Sequence, residues 1–154
     1  MSIRLIRKSD EDILRKKSRQ VLAIDDRIIT LLDDLADTMH SANGLGLAAV
    51  QVGVLRRVAV VDTGDALVEL INPVIVKTEG GEVGLEGCLS FPGKYGEVER
   101  PTKVWVQSLD RKGKKKEYYG EDLVARAFCH EIDHMDGNLF VDLVSKFVDV
   151  EETV

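Results

Sequence analysis

The 154-residue sequence predicts an α+β domain in which mainly antiparallel β-strands surround one central helix. Two observations support this fold class. Residues 120–137 have a helical pattern with apolar side chains on more than one side, and several segments of strand length are separated by turn residues. No internal repeat, low-complexity tract or linker interrupts the chain, so residues 1–154 are expected to form a single domain.

The composition excludes several classes of protein. Hydrophobic residues make up 44% and charged residues 31%, as in ordinary soluble globular proteins. A net charge of −6 argues against a broad nucleic-acid surface, and we expect no DNA partner. Two cysteines without a pairing pattern fit a reducing compartment. Because the N-terminus lacks an apolar secretory segment and no apolar run reaches about 18 residues, we expect a cytoplasmic protein without a membrane span.

The N-terminal third predicts two helices and a glycine-rich segment. Residues 11–18 are expected to form a short helix, and residues 26–42 a longer one that the acidic pair at 25–26 begins. Residues 44–53 lack the phosphate-binding glycine fingerprint, so a nucleotide loop is disfavoured. Their small side chains indicate instead a backbone packed close to another group, with Gln51 pointing at it.

Strand-like alternation recurs through the middle of the chain. The predicted strands are residues 57–62, 67–76, 103–109, 114–119 and 139–143, with Val98 in a further strand. Pro73 indicates an edge or a break in its strand. Residues 78–87, rich in Gly and Glu, are expected to form a loop with short pairing, and residues 110–113 a turn that makes 114–119 the antiparallel partner of 103–109. An acidic tail follows and is expected to fray.

The helix expected over residues 120–137 begins with acidic residues and ends at Gly137. A rotation of about 100° per residue around the helix axis sorts its residues into three sides, two of which are expected to be buried. The first side consists of Leu123, Ala127, His130 and His134, the second, wholly apolar side of Val124, Phe128, Ile132 and Met135, and the third, mostly polar side of Asp122, Arg126, Cys129, Asp133 and Asp136.

Residues 130–134 have the pattern His-Glu-x-x-His. Two histidines four residues apart on a helix project from the same face and can bind one metal ion, while Glu131 can reach the water bound to that ion. Two buried core histidines are the alternative interpretation, and a third ligand has to decide between them.

Two cysteines are candidates for the third ligand. Cys129 points about 120° away from the middle of the histidine side, so we expect a small buried thiol there. Cys88 lies in a turn-like segment that the fold could bring to the metal, and two histidines with one cysteine leave a position for water, as in catalytic sites. Metzincin peptidases have the spacing His-x-x-Gly-x-x-His, in which the last histidine is the third ligand. Here His134 and Gly137 match that spacing, but the last position is Phe140, which cannot bind metal.

Three motifs in order resemble those of the peptide deformylases: residues 44–51 (Gly-Leu-Gly-Leu-Ala-Ala-Val-Gln), 86–90 (Glu-Gly-Cys-Leu-Ser) and 130–134 (His-Glu-Ile-Asp-His). The similarity covers nearly the whole chain and departs from the common residues only mildly, at Val50, Cys129 and Met135. The resemblance implies a peptide deformylase-like fold and an amide hydrolase. Its reaction would remove the formyl group from the N-terminal formyl-methionine of newly made polypeptides.

The resemblance also implies a set of site residues. Cys88, His130 and His134 would bind the metal, Glu131 would be the general acid/base, Gln51 and the Leu89 amide would bind the oxyanion, Gly46 would line the substrate channel, and Glu86 and Arg100 would form a structural pair. One divalent ion per chain is implied, iron(II) in the cell, with zinc, nickel or cobalt as substitutes.

Further substrate contacts follow from the residues themselves. A strand-like run at residues 44–47 could pair with an extended peptide, which makes Gly44 and Leu45 substrate-binding candidates beside Gly46. Leu123 and Ala127, on the histidine side of the helix, are candidates for the wall of a methionine pocket.

Two alternative functions stay open at this point. Another His-Glu-x-x-His metallopeptidase is disfavoured because no third helix-borne ligand follows, and a non-catalytic formyl-peptide-binding relative is disfavoured because Glu131, Gln51 and all three ligands are present. The basic residues of 15–17 and 112–116 are candidates for contact with the ribosome, although exposed basic loops are commoner than RNA contacts.

Overall fold

The computed structural model describes residues 2–9 and 11–149, so most of the expected acidic tail, residues 150–154, lies outside the described residues. The helices are α1 (Asp26–Ser41) and α2 (Asp122–Met135), with 3-10 turns at Asp12–Arg15, Ala49–Val52 and Phe140–Asp142. The strands are β1 (Gly46–Ala48), β2 (Val58–Asp62), β3 (Leu67–Glu79), β4 (Glu82–Cys88), β5 (Phe91–Arg100), β6 (Lys103–Leu109), β7 (Lys115–Glu121) and β8 (Lys146–Val148).

These strands form two sheets, one with the order β1-β2-β3-β6-β7 and one with the order β4-β5-β8. Every pair of neighbouring strands is antiparallel, which confirms the expected α+β class. β1 is an edge strand whose described partner is β2, with Gly46 opposite Val61. Its other edge carries no strand of the described chain, and the Ala48 amide there donates to the Gln51 side chain.

The larger sheet separates two apolar clusters. Along β2, Val58 and Val60 pack into the cluster around α1, whereas Ala59 and Val61 pack into the cluster around α2. Successive strand residues point to opposite faces, so β2 is buried on both of its faces. The apolar side expected for α2, including Phe128 and Met135, is the side that meets this sheet. α2 is therefore central, as predicted.

Several element predictions are confirmed. α1 begins after Asp25, whose carboxylate accepts a hydrogen bond from the Ile28 amide at 3.2 Å. The predicted strands at 57–62, 67–76, 103–109 and 114–119 correspond to β2, β3, β6 and β7. Pro73 marks no end of β3. It lies in a register shift between Ile71 and Val74, where the pairing with β2 has ended and only β6 continues.

Three element predictions are wrong. The helix expected at 11–18 is only the 3-10 turn Asp12–Arg15. The loop expected at 78–87 is the end of β3 followed by β4, because its glycines make room for side chains of facing elements. The strand expected at 139–143 is a 3-10 turn in which Asp142 accepts from the Leu139 amide at 3.4 Å and Phe140 is buried. β8, farther on, was not anticipated.

The end of α2 is fixed by a close approach. Gly137 has φ +78°, and a Cβ placed on it would lie 2.5 Å from the carbonyl oxygen of Arg15. Gly64 also has a positive φ of +93°, but no atom lies within 4 Å of a Cβ built there. The two glycines therefore differ in surroundings and not in backbone conformation.

We expect Gly137→Ala to lower the free energy of unfolding by more than Gly64→Ala. Each alanine costs about 1–2 kcal/mol for the left-handed backbone, and only the variant at 137 adds a clash with the main chain. Urea denaturation of the metal-free proteins measures both changes. Equal losses would show that the C-terminal end of α2 can move away from the Asp12–Arg15 turn.

Candidate active site

A cavity of about 470 Å³ is bounded by β1, β4, the turn between β4 and β5, and α2. It brings together residues that are far apart in sequence. The expected site residues that line it are Gly44, Leu45, Gly46, Gln51, Cys88, Leu89, Leu123, Ala127, His130 and Glu131. A larger groove of about 1050 Å³ beside the start of α1 contains none of them, so volume alone does not identify the site.

Three possible ligand atoms meet where Cys88 and His130 line this cavity. The Cys88 Sγ lies 3.4 Å from the His134 Nε2, which lies 3.2 Å from the His130 Nε2. All three ligand atoms lie within 4.8 Å of one another. Metal–ligand bonds of about 2.0–2.3 Å in a tetrahedral shell put neighbouring ligand atoms about 3.3–3.6 Å apart, so the group fits one divalent metal ion.

The His130 ring is oriented by Glu86. The Glu86 Oε2 accepts a hydrogen bond from the His130 Nδ1 at 2.6 Å, which leaves the Nε2 lone pair facing Cys88 and His134. Arg100 donates to both oxygens of Glu86, from Nε at 3.1 Å and from Nη2 at 2.7 Å. Burial alone would raise the pKa of Glu86, but the hydrogen bonds from His130 and Arg100 outweigh it and lower the pKa to about 2. Carboxylate partners of this kind fix the tautomer of a metal-binding histidine.

His134 is suited to binding metal as a neutral imidazole. Its side chain is almost fully buried, with 1% of its surface exposed. Burial is the main cause that holds the pKa of His134 well below its usual range. Neutral imidazole is the form that donates a lone pair to a metal.

Glu131 is a buried carboxylate with an unused oxygen. Among the described residues, its Oε1 is one of three buried side-chain polar atoms without a hydrogen-bond partner. Burial is the main cause that raises the pKa of Glu131 to about 7. The backbone of β1 reaches this carboxylate because position 46 is glycine: a Cβ on Gly46 would lie 2.6 Å from the Glu131 Oε2. A buried oxygen without a hydrogen-bond partner, close to a group of possible metal ligands, indicates that a ligand or a water molecule binds there.

Gln51 presents its amide nitrogen to the same point. Its Oε1 accepts from the Ala48 amide at 3.0 Å, and its Nε2 donates to the Ser90 Oγ at 3.1 Å and to the Cys88 Sγ at 3.4 Å. The expectation that residues 44–53 pack closely against another group agrees with this geometry. A Cβ on Gly44 would lie 2.6 Å from the side chain of Leu89, the residue after Cys88.

The remaining sequence expectations have different outcomes. Cys129 is buried outside the ligand group, and burial raises the pKa of its thiol to about 11, as expected for a core thiol. Leu123 is 57% exposed at the cavity rim, whereas Ala127 is buried. The third side of α2 is less polar in its surroundings than predicted, since Arg126 is buried together with Cys129.

Sequence reasoning missed two groups of this site. Ser90, which holds the Gln51 amide, carries no distinctive signal beyond its place after Cys88-Leu89. Arg126 donates to the Glu86 Oε1 at 3.1 Å. Its position four residues before His130 was the available signal, because residues four apart on a helix can reach one acceptor.

Comparison with known proteins agrees with this arrangement. The family model for polypeptide deformylase matches residues 3–149. The chain belongs to the polypeptide deformylase family. It is 59% identical over 152 residues to the peptide deformylase of Caldanaerobacter subterraneus subsp. tengcongensis, a match that covers 99% of this chain and 96% of the relative.

Solved deformylase structures have the same fold. A peptide deformylase from Legionella pneumophila superposes with a TM-score of 0.90 at 45% identity, covering 93% of this chain and 86% of the other. One from Synechococcus elongatus in complex with actinonin has a TM-score of 0.88 at 40% identity, covering 92% and 78%. The peptide deformylase-like fold is thereby confirmed. The deformylases are metalloenzymes, and the activity of this chain is hydrolytic removal of the formyl group from formylated nascent peptides. No helix of the described chain has both the length and the apolar character of a membrane span.

We expect Glu86→Gln to lower the free energy of unfolding of the metal-free protein by about 3–5 kcal/mol, because it leaves buried guanidinium charge uncompensated. Glu69→Gln is the matched control. Glu69 also binds an arginine, Arg111, but that guanidinium is 37% exposed, so the loss there should be about 1 kcal/mol or less. Urea denaturation measures both, and similar losses would contradict the role assigned to burial.

Proposed function

We propose that Cys88, His130, His134, Glu131, Gln51 and the Leu89 amide perform the deformylation reaction in this chain. The observation that carries the proposal is the unpartnered Oε1 of buried Glu131, in the cavity that Cys88 and His130 of the three-ligand group also line. Hydrolysis of a formyl amide needs a nucleophilic water, a partner for the oxyanion and a proton for the leaving amine.

Cys88, His130 and His134 would hold one divalent metal ion. When bound, such an ion acidifies a water molecule and polarises the formyl carbonyl. Two imidazoles and one thiolate suit zinc or iron(II). We propose iron(II) as the ion in the cell, with zinc, nickel or cobalt as substitutes, a choice supported by the motif resemblance to deformylases.

Glu131 would be the proton carrier. Its Oε1 is buried and free to accept a proton from the attacking water, and the same oxygen can then deliver that proton to the amine nitrogen of the leaving peptide. A pKa raised to about 7 by burial suits a group that must both accept and release a proton near neutral pH. The new N-terminus of the peptide leaves as the free amine.

Gln51 and the Leu89 amide would bind the developing oxyanion. The Gln51 side chain cannot rotate freely, because the Ala48 amide and the Ser90 hydroxyl hold its two ends. A donor that is oriented before the reaction stabilises the transition state without reorganising.

The substrate would lie along β1 and in the cavity. The edge of β1 that carries no described strand offers main-chain hydrogen bonds that do not depend on peptide sequence, with Gly44, Leu45 and Gly46 on this side. Leu123 and Ala127 would contact the methionine side chain. A metallopeptidase would cleave internal or terminal peptide bonds with no requirement for formylation, so comparing formylated with unformylated peptide separates the two functions.

We also propose that residues 1–154 act as one catalytic domain in the cytoplasm, on peptides that emerge from the ribosome. The side chains of Lys16, Lys17 and Lys112 are exposed, as a ribosome contact through the two basic segments would require. Charge-reversal variants at these lysines in a ribosome pelleting assay test this contact.

Glu131→Gln should reduce kcat for formate release from formyl-Met-Ala-Ser by about 10²–10⁴-fold while the bound metal is retained. Gln51→Leu should cost about 10²–10³-fold. The matched control Gln107→Leu makes the same change on an exposed strand residue and should leave turnover unchanged. Anaerobic formate assays with metal analysis give both readouts. Full activity of Glu131→Gln, or equal cleavage of the unformylated peptide, would contradict the proposal.

Removal of the metal with a chelator should abolish formate release, and reconstitution with iron(II), nickel or cobalt should restore it. Because the proposed site joins a thiolate to the ion, the iron form should lose activity in air faster than the nickel form. Cys88→Ala should lose both metal and activity. Retention of one metal per chain in Cys88→Ala would remove the cysteine from the ligand set.

A further inference from the structure

β4 and α2 face each other in three matched pairs. Alternate strand residues meet every fourth helix residue: Gly84 meets Arg126, Glu86 meets His130 and Cys88 meets His134. Two residues of a strand span about 6.6 Å, and four residues of an α-helix span about 6.0 Å. The two spacings therefore match closely enough for side chains of α2 to meet β4 in three successive pairs, provided that the register of the two elements is fixed.

The first pair, Gly84 and Arg126, is a close approach and contains no metal ligand. A Cβ on Gly84 would lie 2.7 Å from the Arg126 Nη2 and 3.0 Å from its Cζ, so any side chain at position 84 would displace the guanidinium. The guanidinium donates to the carbonyl oxygens of Val98 at 2.8 Å and Glu82 at 3.3 Å. Because these carbonyls belong to β5 and β4, Arg126 joins α2 to two of the three strands of the small sheet.

Arg126 also completes the hydrogen bonding of Glu86. Its Nη1 lies 3.1 Å from the Glu86 Oε1, and the other three donors on this carboxylate come from Arg100 and His130. A carboxylate has about four acceptor sites, so the set is complete. Arg126 therefore touches the group that orients His130 without touching any of the three ligand atoms.

We infer that Arg126, accommodated by Gly84, is a positioning residue that sets the register between β4 and α2 and so brings the Cys88, His130 and His134 ligand atoms together. The inference rests on the proposed metal site. Arg100 reaches α2 as well, but through Asp133, whose side chain is 28% exposed. The side chain of Arg126 is only 9% exposed, and its bonds to β4 and β5 make it the buried link at the level of Gly84.

The test uses the Co²⁺-loaded protein and measures transfer of Co²⁺ to excess EDTA, together with the visible spectrum of the thiolate–cobalt site. Arg126→Met should release Co²⁺ about 10–100-fold faster, the range for loss of an outer-shell partner. Arg126→Lys keeps the charge near Glu86 but offers a single nitrogen, so its release rate should fall between wild type and Arg126→Met.

Gly84→Ala should loosen the same contact between β4 and α2, because the Cβ of the alanine displaces the Arg126 guanidinium without removing it. It should speed Co²⁺ release as well. In the double variant with Arg126→Met the displaced group is absent, so the two effects should not add. Gly84→Ala and Arg126→Lys also keep the inference testable if Arg126→Met fails to fold.

Arg57→Met is the matched control. Arg57 is a mostly buried arginine that braces the other end of α2, donating to the Met135 carbonyl oxygen at 3.0 Å and pairing with Asp136 at 3.0 Å. It should lower the free energy of unfolding of the metal-free protein, as Arg126→Met does, but leave Co²⁺ release at the wild-type rate. Faster release from this control would mean that any loosening of α2 has the same effect, which overturns the inference.

The outcomes distinguish failure of the proposed metal site from failure of the role inferred for Arg126. Wild type that binds no Co²⁺ would contradict the proposed metal site and this inference together. Wild type that binds Co²⁺, with unchanged release from Arg126→Met and Gly84→Ala or with additive effects in the double variant, would contradict the inference alone.

Discussion

The buried carboxylate of Glu86 is the group on which the rest of the site depends. A lone carboxylate in this position would cost several kcal/mol of desolvation, and it is tolerated only because four donors surround it. These donors belong to β5 and α2, whereas Glu86 itself belongs to β4. Satisfying one charge therefore ties three elements together, and the ring of His130 is oriented as part of the same arrangement.

The larger sheet supplies what the Glu86 network does not. Its edge strand β1 approaches the Glu131 carboxylate at Gly46, and the 3-10 turn that follows carries Gln51. β2, buried on both faces between the two helices, holds β1 in place. The small sheet thus brings Cys88 to α2 while the large sheet brings Gln51, and the cavity is the space left between them.

Local patterns allowed part of this arrangement to be predicted from the sequence. The 3.6-residue period of α1 and α2, the short apolar run of β2, and the hairpin of β6 and β7 depend on neighbours in sequence, and these predictions agree with the structure. β4 was expected to be a loop because glycines are poor strand formers, yet Gly84 and Gly87 are there to admit the Arg126 and Tyr95 side chains. These contacts involve residues of other elements, so local sequence patterns could not predict them. The burial of Arg126, on a side of α2 expected to be polar, depends on other elements in the same way.

The grouping of buried polar atoms indicates why these groups were retained. The Glu131 Oε1 and the His134 Nδ1 lack partners, and each unsatisfied buried group costs about 1–3 kcal/mol. A chain selected for stability alone would replace them with apolar side chains, as it does on the opposite side of α2, where Phe128 and Met135 pack against the large sheet. The cost is tolerable because two apolar clusters, one on each face of that sheet, stabilise the framework independently of the cavity. One side of α2 therefore stabilises the fold by packing against the large sheet, and another side directs His130 and His134 toward Glu86 and Cys88 of β4.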